Sequence, residues 1–415
     1  MSKDAKLIDA PEFDLGDEML KEQVSANRNK RQIEQTEKYL QRNYDLRYNT
    51  IRNEIEISEI GKQEYQSLNE NNLFREFQHN KVPYSINKTI MLMRSDFVPK
   101  YNPIEEYFTN LPPYKPAEGD YIAELCKYIN AFKQEAFNQQ FKMHMVRTVA
   151  CAMDESFFNK HCLVLVQPQQ SGGKSTFIRY LTPEPLKEYY TENLTVDKDG
   201  QIALCENFII NLDELATLSR QDINSLKSIF SKVNVKVRPP FEKKAILMPR
   251  RASFFGSTND VSFLTDHTGS VRWLCFRIEK IDWGYSKTID INRVWAQAYY
   301  LYKNGFRMNL DQTMVQQNEI NNSEFKVVTT EMELLHKYFQ PITKEKFEAL
   351  KDTIEQQVHF YTSTEIMQRL IEKTDGKIKI ANSNIIGKSL QSMGYKRDQM
   401  YNGSYNVYGY YLLER

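Results

Sequence analysis

The chain has no excess of charge of either sign: its 415 residues carry 55 Lys plus Arg against 54 Asp plus Glu. Global electrostatics therefore names no partner, and any surface for nucleic acid has to be a local patch. Paired cysteines are missing too. Cys126, Cys151, Cys162, Cys205 and Cys275 are scattered, form no C-x-x-C and mostly sit in apolar runs. That pattern excludes a disulfide framework and reads as reduced core thiols of a cytosolic protein. The six histidines lack metal-ligand spacing, so no zinc site is expected and His144 reads as a core or surface histidine. No apolar run approaches the ~20 residues of a membrane span, and Met1-Ser-Lys-Asp-Ala5 lacks the apolar core of a signal peptide. The expectation is a soluble, cytoplasmic protein of roughly two to four domains with no membrane partner.

What is present is concentrated in one stretch. An apolar run, Cys162–Val166, is short enough for one buried strand. The chain then turns through Pro168, Gln169, Gln170, Ser171, Gly172 and Gly173, and Lys174-Ser175-Thr176 begins an amphipathic run with Phe177, Ile178 and Leu181. Strand, tight loop and helix start are the geometry of a phosphate-binding P-loop. Loop amides and the helix N-terminus converge on a phosphate. Lys174 is placed to reach the β- and γ-phosphates of ATP, and the Ser175 hydroxyl to ligand Mg²⁺. Pro168 stands where G-x-x-x-x-G-K-[ST] has its first glycine. The crowded end of the loop keeps both glycines, and Pro168 needs only an ordinary turn φ.

Downstream, Glu206–Glu214 reads as a buried strand ending in two acids, thirty-nine residues after Lys174. Asp213 is expected to hold Mg²⁺ through water and Glu214 to polarise the attacking water. A third strand, Ala252–Asn259, ends in Asn259, which can sense the γ-phosphate. In Asp266–Arg277 a glycine turn leads through Arg272 into a fourth strand. An arginine there can complete a neighbouring subunit's site, or can be a structural ion pair. Asp197-Lys-Asp-Gly200 lacks the third carboxylate and distant Glu of a calcium loop and reads as a polar turn.

The most basic stretch is 235–251, with Lys236, Arg238, Lys243, Lys244, Arg250 and Arg251 against Glu242 alone. Alternation before Pro239-Pro240 and after Lys244 predicts two strands joined by a turn. Cations near the tip, with Phe241, suit contact with phosphates and bases of DNA.

The remainder sorts into flanking regions. Residues 1–43 read as a flexible polar leader, with helix possible only from Leu20. Residues 44–155 combine an alternating strand or hairpin at 46–57, a helical 72–98, a Pro-rich connector at 111–116 and at least two helices over 119–155, with Ile129 and Phe132 in the helical spacing. The ATPase core is expected over 156–285. A mostly helical connector follows at 286–358, with helices at 294–302, 332–339 and 347–358. At 359–415 a capped helix from Thr362, a second over Asn382–Met393 and a hairpin through Asn402-Gly403 describe a winged helix. The fold class is α/β.

With these residues in view, the chain resembles the virulence-associated E (VapE-type) P-loop ATPases of phages and mobile elements, relatives of superfamily 3 helicases. The resemblance runs from about Tyr44 to Ile281. It rests on Tyr44–Asn49, Pro168–Thr176, Ile209–Glu214, Val237–Phe241, Pro249–Phe254, Gly256–Asn259 and Phe263–Arg272 in that order. It implies an AAA+-like core that assembles as a ring, commonly a hexamer, and replicates an element's DNA. A primase often precedes that core; the leader here is too short for one, so priming is expected from a separate protein. Ser270-Val271-Arg272 replaces the family's paired arginine, leaving Arg272 the one finger residue in that turn. The leading expectation is a ring-forming, ATP-dependent DNA helicase or translocase. The alternatives are a nucleotide-gated DNA-binding initiator or regulator without processive unwinding, and an ATPase switch of a defence system.

Overall fold

The computed structural model describes residues 15–415 apart from 63, 193, 196, 216–219, 240–243, 265–269, 352–356 and 402. The chain divides into two compact units, Met1–Glu106 and Tyr107–Arg415.

In the first unit, the segment read as a flexible leader with helix from Leu20 carries a 29-residue helix, Leu15–Asn43, that starts five residues earlier. Its Glu, Lys, Gln and Arg are strong helix formers, and low hydrophobicity alone is a poor argument against an exposed helix. Its end is anchored: Leu40 is buried in a cluster with Leu46, Ile55, Ile57, Leu73 and Phe77, and Tyr39 packs against it. The alternating stretch that follows forms a hairpin of β1 (Tyr44–Asn49) and β2 (Glu54–Glu59), in register from Tyr44↔Glu59 to Asn49↔Glu54. Two short strands, β3 (Gln66–Ser67) and β4 (Lys100–Tyr101), extend it in the order β3-β2-β1-β4. Helices Glu70–His79 and Ile86–Met93 occupy the stretch read as helical, the first starting two residues before residue 72.

The second unit is built on a six-stranded sheet. Two of the expected helices precede it, Tyr121–Cys126 and Gln134–Met153. Between them Ile129, counted in the helical spacing, opens strand β5 (Ile129–Ala131); Ile129 and Ala131 are buried and Asn130 is exposed, a period of two hidden inside an apparent period of 3.6. The other strands are β6 (Cys162–Val166), β7 (Tyr190–Glu192), β8 (Ile209–Leu212), the paired β9 (Asn234–Val237) and β10 (Ile246–Pro249), then β11 (Ser253–Thr258) and β12 (Trp273–Ile281). The sheet order is β5-β12-β6-β11-β8-β7, while β9 and β10 form their own two-stranded ribbon. Its neighbours are parallel except for the antiparallel edge strand β5. Every residue of β6, β8 and β11 is buried, including Asn211, Ser253, Ser257 and Thr258, so these strands show no alternation of buried and exposed positions. All five cysteines are buried and unpaired. The Asp197 turn is a helix start: its carboxylate accepts from Gly200 N–H at 3.0 Å and caps helix Lys198–Glu206.

Toward the C-terminus, helices Ile291–Lys303 and Thr330–Tyr338 match the expected positions, but the helix expected to reach Val358 stops at Leu350. Val358 instead opens β14 (Val358–Tyr361), and Phe339–Pro341 forms β13; both pair with the long β16 (Asn406–Glu414). Between β14 and β16, β15 (Asp398–Tyr401) folds back on β16 as a hairpin whose turn residue Asn402 lies outside the described residues. Helices Ser363–Lys373 and Ser383–Ser392 cover this sheet, and Thr362 and Glu365 form a reciprocal capping box. Leu335 and Phe339 belong to the same core as Ile366, Leu390 and Leu412, so this subdomain starts well before the expected boundary at 359. Among the described residues no helix is long and apolar enough to cross a membrane.

Candidate functional site

The carboxyl ends of β6, β8 and β11 converge on a cleft of about 350 Å³, lined by Ser171 to Thr176, Asp213, Glu214, Thr258, Asn259 and Trp283. Clefts in parallel sheets form at the carboxyl ends of strands because the loops diverge there. β6 delivers Gln167, whose N–H donates to Thr258 O at 3.1 Å and whose carboxamide donates to Glu279 O at 3.1 Å. From this fixed point the loop doubles back. A Cβ on Gly172 would lie 1.9 Å from Gln167 Oε1, and one on Gly173 would lie 2.8 Å from Trp283 Cζ2. Gly173 also has φ +86°, so glycine is required there by the backbone, whereas a side chain at Gly172 would have to displace the Gln167 carboxamide. Pro168, Gln169, Gln170 and Ser171 are exposed at the loop's tip, where proline meets no crowding.

Helix Lys174–Tyr180 starts at the loop's end. Lys174 is only 7% exposed, and its Nζ donates to Asn259 Oδ1 at 2.7 Å and to Gln167 O at 3.3 Å. Burial pushes the ammonium below the ordinary lysine value, and Asp213 opposes that shift. A second group adjoins it. Ser175 Oγ donates to Asp213 Oδ1 at 2.9 Å and lies 3.2 Å from Ser257 Oγ, while the Ser257 hydroxyl also bonds the Asp213 carboxylate. Glu214 is exposed at the cleft's edge with φ +50°, a region few non-glycine residues occupy. A buried cation beside two hydroxyls and a carboxylate can hold a polyanion together with a hard divalent cation.

The structure therefore brings together Lys174, Ser175, Asp213, Glu214 and Asn259, the residues singled out from sequence. Ser257 and Trp283 were missed. Ser257 stands two positions before Asn259, which directly follows β11, so continuing the strand's period-two alternation places both on one side, and that signal was available. Trp283 lies in a turn after β12, with no sequence signal.

Arg272 is not brought to this cleft. Trp273 pairs with Cys162 in parallel register, so Arg272 stands at the amino end of β6 while the loop leaves its carboxyl end. Five strand residues, roughly 15 Å, separate the two poles. Arg272 donates to Ser231 Oγ at 3.3 Å and is half-buried.

The basic stretch does form two antiparallel strands, β9 and β10, in register from Val237↔Ile246 to Asn234↔Pro249. Val235, Val237 and Met248 anchor the ribbon in the core, and Lys236, Arg238 and Lys244 are exposed. Phe241 and Lys243, like Pro240 and Glu242, lie outside the described residues, as does the 265–269 turn before Arg272. Two of the six cations are not surface residues. Arg250 is 0% exposed and donates to the carbonyls of Asn159 (2.6 Å), Phe230 (2.7 Å), Ala252 (3.2 Å) and Ile229 (3.4 Å). Two of these, Ile229 and Phe230, close helix Arg220–Phe230, so the guanidinium caps carbonyls that the helix itself cannot satisfy. Arg251 donates to Ala152 O and pairs with Glu155.

A family model described as virulence-associated protein E-like domain matches residues 117–327. No curated protein matches the chain. Among solved structures the chain is similar to the apo C-terminal region of NrS-1, at 12% identity and a TM-score of 0.45 over 92% of this chain and 98% of that one. An A form of the same region gives 12% identity and a TM-score of 0.43 over 89% and 96%. A JCV helicase is similar at 14% identity and a TM-score of 0.27 over 51% of this chain and 62% of that one.

Proposed function

This chain belongs to the virulence-associated protein E-like domain family, and on that premise we propose that it is an ATP hydrolase with a P-loop, AAA+-like core that acts on DNA in the replication of a phage or mobile element. The observation that carries the reading is the convergence of Lys174, Ser175, Asp213, Ser257 and Asn259 on one cleft from three adjacent strands.

In this reading the glycine pair lets loop amides approach the phosphates, and Lys174 neutralises the β- and γ-oxygens. The Ser175 hydroxyl and Asp213 carboxylate would hold Mg²⁺, which supplies further neutralisation of phosphate charge. Ser257 fixes the Asp213 carboxylate from the strand beside it. Glu214, at the edge of the cleft, orients and polarises the attacking water, and Asn259 carries the state of the γ-phosphate into β11. Arg272 stands too far from its own cleft to act there, which supports a role on a neighbour's cleft in a ring, commonly a hexamer. The β9–β10 ribbon faces DNA with Lys236, Arg238 and Lys244, joined by Phe241 and Lys243. The subdomain of two helices and a β-hairpin at the C-terminus serves as a winged helix, and a separate primase supplies primers.

Lys174→Ala is expected to abolish ATP binding or turnover, whereas Glu214→Gln binds ATP and retains it unhydrolysed. Equal loss of ATP binding in both variants would assign Glu214 a structural role. Strand displacement on a forked duplex separates unwinding from nucleotide-gated DNA binding.

A further inference from the structure

Of the chain's three tryptophans, Trp273 and Trp295 are 1% and 0% exposed, while Trp283 is 51% exposed and lines the cleft beside the glycine loop. Other large apolar side chains are as exposed, among them Phe132 at 62%, but Trp283 is the one of them that lines this cleft, and the loop alone does not cover its ring. The turn that carries it is braced by hydrogen bonds. Asp282 N–H donates to Tyr128 O at 2.8 Å, Gly284 N–H donates to Asp282 Oδ1 at 2.9 Å, and the Ser286 hydroxyl donates to Trp283 O at 3.0 Å. Two residues on, Tyr285 is buried edge-on against Phe177 and Tyr180, with ring centroids 5.3 and 4.8 Å away. Those two aromatics belong to the helix that begins with Lys174, so the tryptophan turn and the phosphate loop are held as one piece.

We propose that Trp283 is a stacking platform for the nucleobase of the bound nucleotide. The proposal rests on the cleft being a nucleotide site. The six-membered edge of the indole meets Gly173, and the residue remains half exposed at the cleft. An aromatic face contributes affinity for any base, because every base has a π-face. The platform therefore separates nucleotides from bare polyphosphate and discriminates weakly among ATP, GTP and CTP. A braced turn means little ordering of the ring is needed when a base arrives.

The test measures equilibrium binding of ATP, GTP, CTP and tripolyphosphate, each with Mg²⁺, to the full chain and to Trp283→Ala and Trp283→Phe. The expected result is that Trp283→Ala loses about 5- to 150-fold in affinity for all three nucleotides and little for tripolyphosphate. Trp283→Phe keeps most of the affinity. Because the other two tryptophans are buried, ATP should quench the intrinsic fluorescence of the natural chain and leave that of Trp283→Phe unchanged. Equal losses for nucleotides and tripolyphosphate would show that Trp283 only props the loop at Gly173 and would overturn the inference. Unchanged nucleotide affinity in Trp283→Ala would overturn it too, with the nucleotide site intact. A natural chain that binds neither ATP nor tripolyphosphate would overturn the nucleotide site itself, and the inference with it.

Discussion

Lys174 Nζ and Asn259 Oδ1 are 2.7 Å apart, a bond that ties the start of helix Lys174–Tyr180 to the carboxyl end of β11. The lysine is held from two sides, by Asn259 and by the Gln167 carbonyl, so its position does not depend on a ligand. Preorganised charge of this kind acts mainly where charge develops in the transition state.

Asn259→Ala should therefore lower kcat for ATP hydrolysis by roughly two orders of magnitude with a much smaller change in KM. Asn259→Asp should instead weaken ATP binding, because a carboxylate there competes with phosphate for the same ammonium. Steady-state kinetics of both variants checks this. A loss confined to KM in Asn259→Ala would reduce the residue to a tether.

The basic ribbon divides into solvent-facing and buried cations, and the two kinds should respond differently. Lys236→Ala with Lys244→Ala should lower the salt dependence of single-stranded DNA binding by about 0.7 log-log units for each phosphate no longer neutralised, without changing thermal stability. Arg250→Met should do the reverse. It removes the guanidinium donor from four carbonyls, of which those of Ile229 and Ala252 keep Lys232 N–H and the Cys151 thiol as partners, and should cost about 3 kcal/mol of folding stability. Salt titrations of binding and chemical denaturation separate the two. An unchanged slope in the double-lysine variant would move the main DNA-binding surface to the C-terminal subdomain.

Two buried histidines set an acid limit. Burial, assisted by Arg147, pushes His144 down to about 3 and His161 to about 2, against 6.5 in the unfolded chain. Both are neutral in the fold and take up protons only on unfolding. Their share of stability is complete above pH 6.5. It falls by roughly 1.4 kcal/mol per pH unit for each histidine as pH drops toward about 3, where the fold itself begins to protonate. Denaturation midpoints between pH 7 and 4.5 should show this slope, reduced in His161→Gln. An identical slope in that variant would assign the acid sensitivity to carboxylates.

Much of the site was legible because its parts are local patterns. The glycine pair, the lysine after it, the acids closing one apolar run and the asparagine closing another each sit at a strand end, and the sheet order brings those ends together. Ser257 was within reach of the same reasoning. Trp283 was not, since its place depends on Tyr285 packing against a helix more than a hundred residues earlier in the chain. Errors elsewhere share a cause. The extent of the helix Leu15–Asn43 was not legible because it is anchored at one buried end alone, and Ile129 and Val358 looked helical because strand pairing with distant partners outweighed local spacing. Arg250 looked like part of a charged surface because a capping cation is indistinguishable from any other in a polar run until a helix end is placed beside it.

The separation of Arg272 from the cleft has a consequence for mixtures of good and bad copies. In the proposed ring, a subunit that offers a cleft at one pole of its sheet and an arginine at the other would take part in two catalytic units, one as host and one as guest. A copy defective in both roles would silence its own cleft and its neighbour's. The activity of a mixed ring would then follow the square of the intact fraction, and a minority of damaged chains would poison the assembly out of proportion to their number.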